Sequence, residues 1–357
     1  MKAVVLRTPG NLTLEDVPTP PLGPGQVLLR VRACGICGSD LRYLRGENPW
    51  SQHTLGEVRP NPPRMILGHE VSGEIAEVGE GVPRARVGER VVALAFKGCG
   101  HCVYCLAGQP NLCADTQHLG HGAGWADLGL NPGGMAEFCP LWAEMAYRLP
   151  EHLSFEEATL LDGAGVAVHA VNRGRLSQGD AVAVIGCGSI GLLILQVARA
   201  LHEARVLAVD VEPKPLELAS RLGAAKVVDA RERDAVAATA AFAGGLGAAA
   251  VFNTVGDQET VASGMRMLRR GGIQVLLAVG MESFGLPAAA LAGERALTTS
   301  ANNTYDEFEC ALRLLTGGRI NARALVTHVL PLADALKGFE IAQRKPDSGA
   351  IKVVLTP

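Results

Sequence analysis

Net charge is what this sequence has least of. Thirty-three lysines and arginines stand against thirty-six aspartates and glutamates, a formal balance of −3. Such a chain has no electrostatic reason to seek a nucleic acid or an anionic membrane. Long apolar runs are missing too, and none reaches the ~18–20 residues of a membrane span. The N-terminus, Met1-Lys2-Ala3-Val4-Val5-Leu6-Arg7, meets charge too early for the apolar core of a secretory signal. These absences set the expectation of a soluble, cytoplasmic protein. Aromatics are scarce, at 4%, yet disorder is excluded because 48% of the 357 residues are apolar and net charge is low. Domains usually run to ~100–200 residues, so two are expected.

Cysteine is plentiful instead. Nine is an odd count that fits no disulfide framework, and the clustering points to metal or thiol chemistry in a reducing compartment. Cys99, Cys102, Cys105 and Cys113 follow a C-x2-C-x2-C-x7-C pattern in a glycine-containing loop. Four thiolates this close can close a tetrahedron round Zn²⁺ and leave no position open for chemistry. An iron–sulfur cluster would suit the same ligand type; a structural zinc is the reading taken. A second, dispersed group is Cys34-Gly35-Ile36-Cys37-Gly38-Ser39-Asp40 with Gly68-His69-Glu70. A thiolate, an imidazole and a carboxylate suit a catalytic zinc with one open position. Each piece alone also has a plainer reading. Gly-His-Glu can be a turn with a solvated acid, and Cys34 with Cys37 can be a redox pair or core packing.

The first 150 residues are rich in glycine, proline and short β-branched runs such as 27–31, 71–78 and 88–94, which reads as a small, irregular β domain. Beyond Pro150 the texture changes. Ser154 with Glu156 and Glu157 resembles a helix start. Short apolar strands at 181–186, 205–210, 226–229, 249–253 and 273–279 then alternate with helical patterns, as in a parallel sheet covered on both faces. A helix over 306–316 and a strand over 350–355 follow.

Gly186-Cys187-Gly188-Ser189-Ile190-Gly191 fits G-x-G-x-x-G directly after a strand and at the start of a helix. The first glycine makes the tight turn, the second lets backbone approach a pyrophosphate, and the third allows close helix–strand packing. The N–H groups of the helix N-terminus, including those near Ser189 and Ile190, face the phosphates. Asp210 stands about twenty residues on, where a carboxylate accepts from ribose hydroxyls and repels a 2′-phosphate. NAD is therefore expected over NADP, although Arg205 and Lys214 lie nearby.

The motif around Cys37, the Gly68-His69-Glu70-Val71-Ser72-Gly73 segment, the four-cysteine loop and the glycine-rich turn occur in this order. Together they make the chain resemble the zinc-dependent medium-chain dehydrogenases, the alcohol, sorbitol, threonine and butanediol dehydrogenase group. The resemblance spans essentially the whole chain. It implies an α/β protein with a GroES-like β-rich catalytic domain over 1–160, to which 300–357 returns. A Rossmann doubly wound parallel sheet over 161–299 is inserted between them. It implies one catalytic and one structural zinc, NAD, a small alcohol or ketone substrate, and a homo-oligomer, dimer or tetramer. By position, Cys37 and His69 resemble zinc ligands and Ser39 the hydroxyl that takes the alcohol proton. Asp40 resembles the partner that fixes the ligating histidine. Glu70 and Asp162 are the further ligand candidates, and Val279 to Met281 should line the nicotinamide pocket.

Three departures stand out. Arg42 occupies the place where many relatives carry a relay histidine, and guanidinium stays charged; His53 is a possible substitute. The segment 46–64 is longer than in many relatives and contains Trp50. Lys214-Pro215 falls near where NAD-using relatives place an arginine. The implied activity is hydride transfer between NAD and a secondary alcohol, vicinal diol or polyol. A threonine- or sugar-type substrate is the alternative, as is a non-catalytic, zinc-bearing, NAD-binding or redox-sensing protein.

Overall fold

A computed structural model describes residues 1–123 and 129–357. The chain divides into two compact units, one of Met1–Asp162 with Ala322–Pro357 and the other of Gly163–Asn321.

In the first unit the long strand Gln26–Ile36 is central, because its side chains are buried over most of its length. It pairs antiparallel with Glu70–Val78 on one side and Lys352–Thr356 on the other. Arg90–Ala93 and Ala146–Arg148 extend the sheet beyond the first neighbour, and Val326–Pro331 lies beyond the second. Register sets Glu70 opposite Gly35 and Val353 opposite Ile36. Residues from the first tenth of the chain and its last few therefore meet across one strand. The helix Gly38–Leu44 starts as that strand ends. Ser154 caps the helix Phe155–Ala158 with its hydroxyl on Glu157 N, while the Glu157 carboxylate returns to Ser154 N.

The second unit holds six parallel strands in the order Lys226–Asp229, Arg205–Asp210, Ala181–Ile185, Ala248–Asn253, Leu268–Leu276, Ala296–Thr299. This is the doubly wound order, reversing direction beside the first strand. Ala181–Ile185 and Ala248–Asn253 are buried at every residue, as sheets covered on both faces require.

Three expectations are corrected. The return to the first unit begins at Ala322, not at 300. The amphipathic helix Tyr305–Thr316 buries Phe308, Ala311 and Leu315, and its Glu307 carboxylate bonds His169 and Asn172 of the second unit. The first boundary falls after Asp162 in place of 160. The strand expected to run to Val279 ends at Leu276. Among the described residues no helix is long and apolar enough to cross a membrane.

Candidate functional site

Cys37 sits at the N-cap of the helix Gly38–Leu44, so the turn of chain leaving the central strand presents its thiol. Glu70 opens the neighbouring strand and His69 immediately precedes it. Ligand atoms of Cys37, His69 and Glu70 lie within 4.8 Å of one another. Asp40 ties the two segments together: its carboxylate accepts from Cys37 N at 2.8 Å and Gly68 N at 3.2 Å. It stands 4.0 Å from His69 Nδ1, too far for the hydrogen bond expected of it, and that nitrogen has no partner. Asp162, the second residue of the helix Leu161–Arg173, brings Oδ2 to 3.9 Å from His69 Nε2.

The charges around His69 explain what this cluster is suited to hold. Burial works against a charged His69, yet Cys37, Asp40 and Asp162 outweigh it and lift the ring to about 10. Burial raises Asp40 and Asp162 to about 6 each. Acidic groups this crowded call for a cation, and a divalent ion on Cys37, His69 and a carboxylate meets that demand. Ser39 Oγ, two residues past Cys37, is buried without a partner.

Glu70 is differently engaged. Both its oxygens lie 2.6 Å from Lys352 Nζ, and the two side chains are 2% and 3% exposed. Sequence reasoning missed Lys352, although one lysine in the apolar run Ile351-Lys352-Val353-Val354-Leu355 was a visible signal. It also missed His118 and His121, whose rings stack 4.0 Å apart at 3°. The His121 ring stands edge-on to His69, centroids 4.3 Å apart. Burial holds both imidazoles well below the usual histidine range. Cys34 is buried and its thiol pushed well up, as befits packing. Arg42 NH1 donates to His53 Nε2 at 3.1 Å, and Arg42 Nε to Glu47 at 2.7 Å. Trp50 is buried, with the Arg59 guanidinium 5.9 Å from its ring centre.

The four-cysteine loop converges as its spacing implied. Ligand atoms of Cys99, Cys102, Cys105 and Cys113 lie within 4.8 Å of one another. Cys99 N donates to Cys113 Sγ, Cys102 N to Cys99 Sγ and Cys105 N to Cys102 Sγ, each at 3.4 Å. N–H groups turned onto sulfur favour thiolates, the form that binds metal. None of the nine cysteines is in a disulfide.

In the second unit Gly186 has φ +90°, and a Cβ there would strike Thr254 Oγ1 at 2.3 Å. A Cβ on Gly191 would lie 1.9 Å from Gly186 O, so the turn can close on the helix only with glycine. Gly188 caps the helix Ser189–His202 and faces open space, the cradle a pyrophosphate needs. Asp210 accepts from Cys187 N at 2.5 Å, Val211 N at 2.8 Å and Glu212 N at 2.9 Å. It thus anchors the glycine-rich turn, a role the sequence did not reveal. Val279 and Met281 lie past the strand end, Met281 being 53% exposed.

Residues 23–151 match the alcohol dehydrogenase GroES-like domain and residues 189–317 the zinc-binding dehydrogenase domain. An alcohol dehydrogenase of Geobacillus stearothermophilus is 34% identical over 342 residues, 95% of this chain and 94% of that protein. A probable D-xylulose reductase A of Aspergillus clavatus is 32% identical over 337 residues, covering 92% and 90%. The crystal structure of a 2R,3R-butanediol dehydrogenase from Bacillus subtilis superposes with a TM-score of 0.86 at 30% identity, covering 100% of this chain and 99% of the other. The chain belongs to the zinc-dependent medium-chain dehydrogenases, enzymes with a GroES-like domain and a Rossmann domain.

Proposed function

We propose that this enzyme transfers hydride between NAD and a secondary alcohol, vicinal diol or polyol. One zinc would be held by Cys37, His69 and Asp162, and a second by Cys99, Cys102, Cys105 and Cys113. The observation that carries the reading is that His69 has the Cys37 thiol against it and Asp162 Oδ2 3.9 Å from its Nε2, with the buried, unpartnered Ser39 hydroxyl two residues past Cys37. A bound zinc would supply the Lewis acid that acidifies an alcohol, and NAD the hydride acceptor.

The chain's own groups do the rest. Ser39 Oγ takes the alcohol proton. Arg42 cannot pass it on, since guanidinium does not deprotonate. His53 does not replace it, because its Nε2 lone pair already accepts from Arg42. The proton therefore leaves Ser39 for a cofactor hydroxyl or water. Glu70, neutralised by Lys352, is a poor competitor for the metal, which supports Asp162 as the third ligand. Gly186, Gly188, Ser189, Ile190, Gly191 and Asp210 would hold NAD, with Val279 and Met281 beside the nicotinamide. Nine free thiols support a reducing compartment such as the cytoplasm, and the family supports a homo-oligomer.

Zinc analysis and an alcohol panel test this reading. The wild type should carry two zincs per chain and reduce NAD with diols or secondary alcohols. Cys37→Ser should carry one zinc, lose turnover and still bind NADH. Undiminished turnover in that variant would overturn it.

A further inference from the structure

The segment 46–64, to which the proposed function gives no task, shares a cavity of about 670 Å³ with the four-cysteine loop. That volume is ordinary for a small-molecule site. Its walls are fixed by hydrogen bonds. The hydroxyl of the fully buried Tyr43 accepts from Gly122 N at 2.8 Å and from Trp50 N, and donates to Asn48 Oδ1 at 3.2 Å. Gly122, Trp50 and Asn48 all line the cavity. Asn48 Nδ2 donates to Pro60 O at 3.2 Å, and Arg59 N to Ser51 Oγ at 3.3 Å. On the side of the four-cysteine loop, Lys97 pairs with Gln117 across two short strands, and Thr116 Oγ1 donates to Lys97 O at 3.1 Å.

Donors and an acceptor line this space together. Arg59 engages Glu57 through Nε and Nη2 at 2.9 Å and keeps Nη1 for another partner. Lys97 gives one N–H to Glu144 at 2.7 Å and keeps its others. Asp115 is exposed, and among the described residues no cation pairs with its carboxylate. An anion entering here would meet Asp115 and the thiolate of Cys99, which also lines the cavity. A cation would meet Arg59 and Lys97. A hydroxyl both donates and accepts, so a run of hydroxyls satisfies both sets, and Trp50 offers ring surface to the C–H bonds between them.

We propose that this cavity binds a polyhydroxylated ligand, a sugar or linear polyol, held between the Asp115 carboxylate and the Arg59 and Lys97 donors. Two sources share that chemistry: the far end of a long polyol substrate, and a separate sugar molecule. The cavity wall backs onto the candidate metal site. Tyr43, which pins three of its residues, has its hydroxyl 3.2 Å from His121 Nδ1, and the His121 ring stands against His69. The binding site does not depend on the hydride transfer proposed above.

The test follows the Trp50 indole N–H in ¹H–¹⁵N spectra of the zinc-loaded protein, assigned by its loss in Trp50→Phe. Titration with D-sorbitol should move this resonance to saturation, whereas potassium sulfate and butan-2-ol should leave it in place. In Asp115→Ala the midpoint should rise by about tenfold to a hundredfold, the cost of a hydrogen bond to a charged group. Lys97→Met should raise it in the same direction, a second reading should the first variant fold poorly. A resonance that sorbitol does not move, or moves equally in both variants and the wild type, overturns the proposal. So does a shift produced by sulfate in place of sorbitol. Steady-state kinetics then separate the sources. A KM for sorbitol that rises in Asp115→Ala while butan-2-ol turnover is unchanged marks the far end of the substrate. Unchanged kinetics with a weakened indole titration mark a separate sugar. Failure of the wild type to oxidise any alcohol would count against the proposed function, while the indole titration still decides this site.

Discussion

Lys352 Nζ lies 2.6 Å from both carboxylate oxygens of Glu70, with both side chains buried and 282 residues between them in sequence. Neither charge has water to fall back on. Burial works against the Lys352 ammonium, but Glu70 outweighs it and holds its proton more tightly than usual. Removing one partner strands the other, which costs about 3–5 kcal/mol at buried pairs. Lys352→Met should lower the stability of the first unit by that order in chemical denaturation. Glu70→Gln combined with Lys352→Met should recover much of the loss. A single variant as stable as the wild type would refute the account.

Gly35 makes that pair possible. A Cβ on Gly35 would lie 2.0 Å from Glu70 Oε2 and 3.2 Å from Glu70 Cβ. The carboxylate cannot step aside without leaving Lys352. Gly35→Ala should therefore destabilise the protein about as much as breaking the ion pair does. It should add little to the Lys352→Met variant, because both act on one contact. Additive losses in the double variant would show that Gly35 serves another purpose.

Asp210 offers a graded test of its role in the turn. Its carboxylate accepts three backbone N–H groups, one of them from Cys187 inside the glycine-rich turn. Asp210→Ala leaves all three unmet and should weaken NADH binding by about tenfold to a hundredfold. Asp210→Asn keeps one acceptor oxygen and should fall between. Fluorescence titration with NADH reads the order directly, and equal affinity in all three proteins would reject it.

Acid should loosen the helix Tyr305–Thr316. Burial raises Glu307, but bonds from His169, Thr304 N and Asn172 outweigh it and hold the carboxyl at about 2, below its ordinary value of 4.5. A folded-state value below the unfolded one means stability that is present above about 4.5 and lost as pH falls towards 2. Glu307→Gln should be less stable than the wild type at pH 6 by about 1–2 kcal/mol. The gap should narrow steadily as pH drops through that window, read by hydrogen exchange in the helix. A gap that stays constant with pH would reject the carboxylate as its source.

The parts legible from sequence were those whose partners are close in the chain. Four cysteines within fifteen residues can only converge, and the glycine-rich turn carries its own strand and helix. Lys352 stood out as a lone charge in an apolar run, but its partner was illegible because strand pairing across Gln26–Ile36, not spacing, brings it to Glu70. The helix Tyr305–Thr316 shows an apolar stripe that would suit either unit, and the bonds of Glu307 to His169 and Asn172 reveal which one it joins. The contact of His121 with the Tyr43 hydroxyl joins residues 78 apart, a relation no linear pattern encodes.

The interrupted layout of the first unit bears on the order in which the protein matures. Residues 163–321 are contiguous, so the second unit is complete in sequence while the tail is still being synthesised. On the edge of Gln26–Ile36 that faces away from Glu70–Val78, residues 26–30 pair with Phe138–Trp142, but residues 34–36 wait unpaired until Lys352–Thr356 arrives. Until then Glu70 has no counter-charge, and Cys37 and His69 lie at the end of an open sheet edge. An emerging chain folds domain by domain. Cofactor-binding competence should thus precede metal-site competence on the ribosome, and chaperones would meet an exposed strand before they meet an enzyme.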